Sequence, residues 1–342
     1  MTLLINAYCT LNDVPPLDFP HQLLARRSPA DPELPPHLDG FVGYVLGRGK
    51  QEMTRVKYHL MRHIQRVRHQ VSLRVAQDEL DGFAAWAWAA NAIVFLEDGS
   101  LRDPSGRILL DAAGSDPDPA ARIPHPADAE ARKDRSAARL EALGVRAMAG
   151  LPPVIAEGEV ILRPMDEVAQ RALALMIVAV RGECWNSGEA FPDRILEQQL
   201  PLGFAALSPK EAAFLAAAEP TQQETVNFTW RYEALLLLQW ALGWLPDLPE
   251  PTAICDVPAA VARIREAGQA GFLARSALRS PAEILDALDL HYRLHWAVRQ
   301  ARLDKKPPLD GIEPGVVAER HYALNWLVRF EEAEWDAVDT PT

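Results

Sequence analysis

The pentapeptide "HYRLH", residues His291 to His295, sets two histidines four positions apart, the interval that puts both imidazoles on one face of a helix. Two imidazoles so placed can share a divalent metal, and metalloprotease helices do this with a glutamate directly after the first histidine as general base. Here that position holds Tyr292, followed by Arg293. A third ligand would have to be His321 in "AERHYALNW", where Glu319 and Arg320 come just before it. Two arginines are poor company for a dication. His291, His295 and His321 are therefore metal candidates outweighed by a core in which they bond to buried carboxylates or backbone.

The other catalytic signatures are missing. The chain has no GxGxxG or GxxxxGK[ST] phosphate loop, no GxSxG elbow and no HExxH helix, so no cofactor is expected. "VLGRGK", from Val45, has two glycines and a lysine but neither the spacing nor the hydroxyl residue of a phosphate loop. Cys184, in "RGECWNSGEAFP", has no histidine near it in sequence to draw off its proton.

A second kind of chemistry is suggested by charges set inside apolar helical text. Arg231 and Glu233 lie in "WRYEALLLLQW"; Asp286, Asp289, Arg293 and Arg299 surround the histidines; Glu319 and Arg320 precede His321. Asp289 and Arg293 are four apart and can pair along one helix face. Burial obliges the others to pair between helices, because an unpaired buried charge is very costly. Such a network organises a fold, or it lines a polar cleft that binds or transforms a ligand, and the first reading has the greater weight.

The third signal is charge density. Residues 51–74, "QEMTRVKYHLMRHIQRVRHQVSLR", hold six basic residues against the single acid Glu52, in a chain of net charge -12. Arg55, His59, Arg62, Arg66 and His69 recur at four-three spacing as a cationic stripe, beside an apolar one of Met53, Val56, Leu60, Ile64, Val67 and Val71. A solvated face paired with the protein's own acidic surface is the plainest explanation. A dock for an acidic protein partner comes next, and nucleic acid stands well behind because no aromatic platform accompanies the charge. His59 and His63 are also four apart, but Arg62 and Arg66 beside them disfavour a metal.

These groups need elements to hold them. At 342 residues the chain is long enough for two domains, and its 49% hydrophobic and 24% charged residues are those of a globular protein. Up to Asp111 the text mixes short β-rich runs (Leu3 to Tyr8, Phe41 to Leu46, Val71 to Val75, Ala92 to Leu96, Arg107 to Leu110) with helical patterns at 51–69 and 78–90. That predicts an α+β domain over 1–111. "AAGSDPDPAARIPHP" opens a linker at 112–133, rich in Pro, Asp and Ala. Beyond it the helical punctuation predicts a larger all-α domain over 134–342, with helices at 165–181, 193–199, 209–218, 222–244, 258–267, 281–303 and 314–333. Ser208-Pro209 with Glu211, and Ser280-Pro281 with Glu283, carry matching capping signals. Seven of the nine tryptophans lie beyond residue 180, so an aromatic-rich helical core follows.

The N-terminal stretch reads as a strand rather than a secretion signal, and no apolar run reaches the length of a membrane span. Cys9, Cys184 and Cys255 are far apart and form no CxxC pair. A cytoplasmic protein with reduced thiols is expected.

The segments "LSPKEAAFL", "NFTWRYEALLLLQWALGWL", "ILDALDLHYRLHWAVR", "GVVAERHYALNWL" and "EWDAVDT", in that order, resemble the bacterial family catalogued as domain of unknown function four-two-seven-two, over roughly residues 134–340. The resemblance implies a mostly helical bacterial domain without assigned activity. Its family-like polar positions are Arg231, Glu233, Arg293, His295, Arg299, Glu319, Arg320, His321 and Asn325, which overlap the charges singled out on physical grounds. The leading expectation is a non-catalytic binding or accessory protein, of the toxin-neutralising or secretion-associated kind, that presents its basic helix to an acidic protein. The rival is a hydrolase-type enzyme with Glu233, His295, Glu319 and His321 in acid-base roles, metal-assisted or not. A dry, fully paired cluster would favour the former; a water-accessible cluster beside a cavity would favour the latter.

Overall fold

A computed structural model describes residues 2–49, 52–114, 117–146 and 148–342. Lys50, the lysine of "VLGRGK", Gln51, at the start of the expected basic helix, and Ser115 and Asp116, in the expected linker, lie outside the described residues. The chain divides into two compact units, Met1–Glu130 with Ile155–Val160, and Ala131–Val154 with Ile161–Thr342.

The first unit is α+β. Its strands are β1 (Thr2–Cys9), β2 (Gln22–Arg27), β3 (His69–Ala76), β4 (Ala92–Leu96), β5 (Leu101–Arg102) and β6 (Ile108–Leu110), forming one antiparallel sheet in the order β2-β3-β1-β4-β5-β6. Side chains alternate between faces along each strand. Ile5, Ala7 and Cys9 of β1, with Val71, Leu73 and Val75 of β3, pack against Phe83 and Trp86 of α3 (Leu80–Ala89). On the other face, Tyr8 and Ile93 meet Phe41 and Val45 of α1 (Leu34–Leu46) and Leu60 and Ile64 of α2 (Arg55–Gln65). Both faces are covered, so β4 is apolar on both sides, while Asn6 of β1 and Gln70 and Ser72 of β3 on the second face hydrogen-bond to one another.

Three local expectations are corrected here. Phe41 to Leu46 is the second half of α1, not a strand; Pro35 and Pro36 start the helix, and Phe41 and Val45 are buried one helical turn apart. β2 was not anticipated, because "QLLARR" alternates poorly and is almost wholly exposed at the sheet edge. The helix expected over 51–69 spans only Arg55–Gln65, capped by Thr54, whose hydroxyl accepts from the Lys57 amide at 3.3 Å. The expected linker also contains structure: helix α4 (Ala127–Ala142) begins within it.

The second unit is all-α, with α5 (Met165–Ser187), α6 (Asp193–Gln199), α7 (Pro201–Ala205), α8 (Pro209–Ala216), α9 (Gln222–Thr229), α10 (Arg231–Ala241), α11 (Val257–Arg275), α12 (Pro281–Leu303) and α13 (Pro314–Leu327). The apolar run of α5 is buried without a break from Ala172 to Ala179, as is α10 from Tyr232 to Ala241, so these two helices form the centre. Helices α7 to α11 surround α5, and α13 packs on both α10 and α12. The capping boxes at Ser208/Glu211 and Ser280/Glu283 both form. The helix expected over 222–244 is two, parted at Trp230; that over 314–333 stops at Leu327; and α11 is interrupted at Gly268, whose φ of 63° only glycine adopts cheaply. Among the described residues, no helix is long and apolar enough to cross a membrane.

Candidate functional site

The polar residues of the helical unit sit on three elements: α10 supplies Arg231 and Glu233, α12 supplies Arg293, His295 and Arg299, and α13 supplies Glu319, Arg320, His321 and Asn325. The packing of α13 on the other two brings them together as small closed groups.

Glu233 and Arg320 form an ion pair at 3.1 Å, their side chains 2% and 1% exposed. The other Glu233 oxygen accepts from the Cys255 amide, and Arg320 also donates to the Pro249 carbonyl. Burial, with the Glu233 carboxylate beside it, pushes the Cys255 thiol up to about 12, so it stays protonated at neutral pH. Asp289 and Arg293 pair in bidentate fashion at 2.7 and 2.9 Å, with side chains 0% and 1% exposed; Arg293 adds the Pro152 carbonyl and Asp289 the Val154 amide. Arg231 binds Glu319 at 2.8 Å and lies 4.8 Å above the Tyr322 ring. Burial raises the Glu319 carboxyl and Arg231 pulls it part of the way back.

The histidines follow the same logic. His295 and His321 meet Nδ1 to Nδ1 at 2.9 Å, so one donates and the other accepts, and both are neutral. His291 donates through Nδ1 to the Ala287 carbonyl one turn back, and its Nε2 is buried without a partner. Burial depresses His291 to about 3 and His295 to about 4, and holds His321 well below its ordinary value; neighbouring Arg320 and Arg299 add to the first two. Among the described residues, no group of three or more His, Cys, Asp and Glu side chains is arranged to hold a metal ion. Arg299 and Asn325 are separate from these pairs: they bind the Thr342 hydroxyl at 3.0 Å and the Asp339 carbonyl at 2.8 Å.

In the first unit the cationic stripe does not survive as one face. Arg55, His59 and Arg62 are on the outer side of α2, with Arg62 reaching Gln65 at 3.0 Å and Arg55 facing His59. Arg66 is already the C-cap and turns to Glu159 at 3.2 Å. His69 belongs to β3, where it is buried against the Asn12 carbonyl at 2.9 Å. The stripe presupposes a helix reaching residue 69, and the chain leaves the helix at Gln65 to enter the sheet. Lys57 is buried as well: its ammonium caps the C-terminal end of α1 through the Arg48 and Leu46 carbonyls, where a cation meets the negative end of the helix dipole.

Sequence reasoning missed a further group. Arg171, in the middle of the apolar helix α5, pairs with Glu211 of α8, their side chains 6% and 1% exposed. Arg171 and Arg231 both lie over the ring of Trp335, at 5.1 and 5.6 Å. A lone arginine inside "RALALMIVAV" was the available signal, since a charge in an all-round apolar helix has to find a partner.

Residues 132–338 match the family model described as Domain of unknown function (DUF4272). Neither the curated proteins nor the solved structures contain a match.

Proposed function

The chain belongs to the DUF4272 family, and from that premise we propose that it is a non-catalytic binding or accessory protein. The observation that carries this reading is the closure of the candidate cluster. Glu233, Asp289 and Glu319 are each held by an arginine, and His295 and His321 are held by each other. A general base needs a lone pair aimed at a substrate proton; here the carboxylates turn oxygens to arginines, Asp289 along its own helix and Glu233 and Glu319 across to the facing one, and the histidine pair commits one of its two ring lone pairs to the bond between the rings. Buried ion pairs of this kind position helices relative to one another; removing one partner is far costlier than the pair is worth.

The surface that remains for an acidic protein partner is the outer side of α2, with Arg55, His59 and Arg62. A cytoplasmic location agrees with three free cysteines. The test is binding of a fluorescent oligoglutamate peptide, followed by anisotropy, to the full chain and to an Arg55→Glu, Arg62→Glu variant that leaves Arg66 and Lys57 in place. Binding that weakens at least about tenfold in the variant, and weakens with salt in the unmodified chain, supports the reading. Equal binding by both proteins removes α2 as the docking surface. Retained hydrolysis of ester, amide or phosphate probes that disappears in Glu233→Gln would reinstate the enzyme.

A further inference from the structure

The segment 333–342 is held in an unusual way for the end of a helical unit. It carries the motif Trp335-Asp336. The Trp335 ring is 3% exposed, set edge-on to Tyr322 and Trp326 and flanked by the guanidinium groups of Arg171 and Arg231. The Asp336 carboxylate sits at the start of α8, accepting from the Ser208 hydroxyl at 2.6 Å and the Lys210 amide at 2.8 Å. That is where backbone N–H groups and the helix dipole favour an anion. Four side chains, three of them on helices, then read the segment's backbone carbonyls: Arg163, just before α5, binds Ala333 at 2.7 Å, Tyr322 binds Trp335, Lys210 binds Asp336 at 3.0 Å, and Asn325 binds Asp339 at 2.8 Å.

An aromatic anchor in a cationic-aromatic slot, a carboxylate at a helix N-terminus, and side-chain donors on backbone carbonyls are together the way a groove recognises a short peptide, here one with a 3-10 turn over Trp335–Ala337. Two observations separate this from ordinary packing. The chain leaves α13 through Arg329, Glu331 and Glu332 at φ of 54°, 56° and 52°, left-handed positions that non-glycine residues occupy at a cost of about 1 kcal/mol each. The slot also keeps unpartnered buried polar atoms: Arg171 Nε, Glu211 Oε1 and Arg231 Nε. The segment thus reaches the slot at the expense of the backbone that leads into it, and without satisfying every group in the slot.

We propose that the groove built by α5, α8, α10 and α13 is a binding site for an acidic peptide bearing Trp followed by Asp in a single 3-10 turn, and that residues 333–342 occupy it in cis. The partner is a peptide that displaces this segment. The proposal shares no residue with the α2 surface, so either can fail alone.

The experiment uses the full chain with a recognition sequence for a specific protease inserted between Glu332 and Ala333, cut after folding, so that the site starts filled. A labelled synthetic peptide of residues 333–342, "AEWDAVDTPT", is then exchanged in and followed by anisotropy, with circular dichroism as the measure of fold. The expected result is saturable exchange in a chain that keeps its helicity. Peptides with Ala in place of Trp335 or of Asp336 should compete at least about tenfold more weakly, as loss of a buried anchor implies. The uncut chain should bind the peptide at least tenfold more weakly than the cut one, because its own segment competes. Loss of helicity when the segment leaves, absence of exchange, or equal competition by the alanine peptides would each overturn the proposal. Dimerisation of the uncut chain through exchanged segments would overturn the choice of partner in favour of a second copy.

Discussion

Acid should unfold the helical unit through its histidines, and His291→Leu isolates one of them. The imidazole of His291 is 2% exposed and depressed to about 3, against 6.5 for an unfolded chain. Its folded-state value lies below the unfolded one, so the unfolded chain binds a proton that the native one refuses once pH falls below about 6.5. Stability is therefore fully present above that value and is lost as pH falls towards 3. Between pH 7.5 and 5.5 the linkage relation gives a loss of about 1.4 kcal/mol for each such histidine. His295, depressed to about 4, shares this sign and His321 the same direction, so His291 and His295 together remove about 3 kcal/mol, a large part of the ~5–15 kcal/mol that holds a domain folded. Leucine fits the site because the Ala287 carbonyl loses only a side-chain donor while keeping its place in the helix. Urea unfolding at pH 7.5 and 5.5, followed by fluorescence, reads mainly this unit, since seven of the nine tryptophans lie in it. The drop between the two pH values should be smaller in His291→Leu than in the parent by about 1.4 kcal/mol. Glu319, whose raised carboxyl works in the opposite direction, is common to both proteins and cancels. An identical drop in both would refute the assignment of a neutral, buried imidazole at 291.

Other perturbations test other parts of the structure. Arg320→Met leaves Glu233 charged, buried and unpaired, and should cost about 3–5 kcal/mol in urea unfolding, whereas Glu233→Gln with Arg320→Met should recover at least half of that. A double variant no more stable than the single would show that Arg320 acts outside the pair. Gly315→Ala drives a methyl to within 2.5–2.9 Å of the Trp230 ring and should lower stability by roughly 1–3 kcal/mol, read as a drop in Tm. An unchanged Tm would mean that the start of α13 yields freely. Lys57→Met removes the buried ammonium from the end of α1 and should destabilise the α+β unit by about 1–2 kcal/mol, leaving the Cys255 thiol in the other unit unchanged in reactivity. Loss of Cys255 protection in that variant would contradict the division into two units.

Much of the architecture is legible because it rests on local rules. The Ser-Pro-x-Glu boxes at 208 and 280 mark helix starts that form as read, and β1 and β3 alternate as their apolar residues dictate. The departures have local causes too. Phe41 to Leu46 has β-rich composition, yet Pro35 and Pro36, six and five residues upstream, commit the stretch to a helix. "QLLARR" becomes a strand only because the edge of β3 is there to pair with, a tertiary fact with no trace in its own pattern. In the candidate site, the Asp289–Arg293 spacing gave away its pairing. Glu233 with Arg320, and Arg171 with Glu211, join residues tens of positions apart, and nothing in either helix names the other. The basic stripe failed for a related reason: four-three spacing continues past Gln65, while the chain itself turns into a strand.

The return of residues 155–160 to the α+β unit bears on how the chain comes to be folded. Glu159 meets Arg66, accepts from the Ala156 amide, and lies within 3.4 Å of the Asn91 amide, so this acid ties β-unit loops that were synthesised long before it. The sheet can assemble early, but its last internal ties arrive only after α4 has been made. A ribosome-bound chain would thus carry an unfinished first unit, with Arg66 still in water, until the first stretch of the second has emerged. A cut in the Pro- and Asp-rich stretch before Ala127, the place where composition alone would put it, would yield a first half that lacks its own closing clasp.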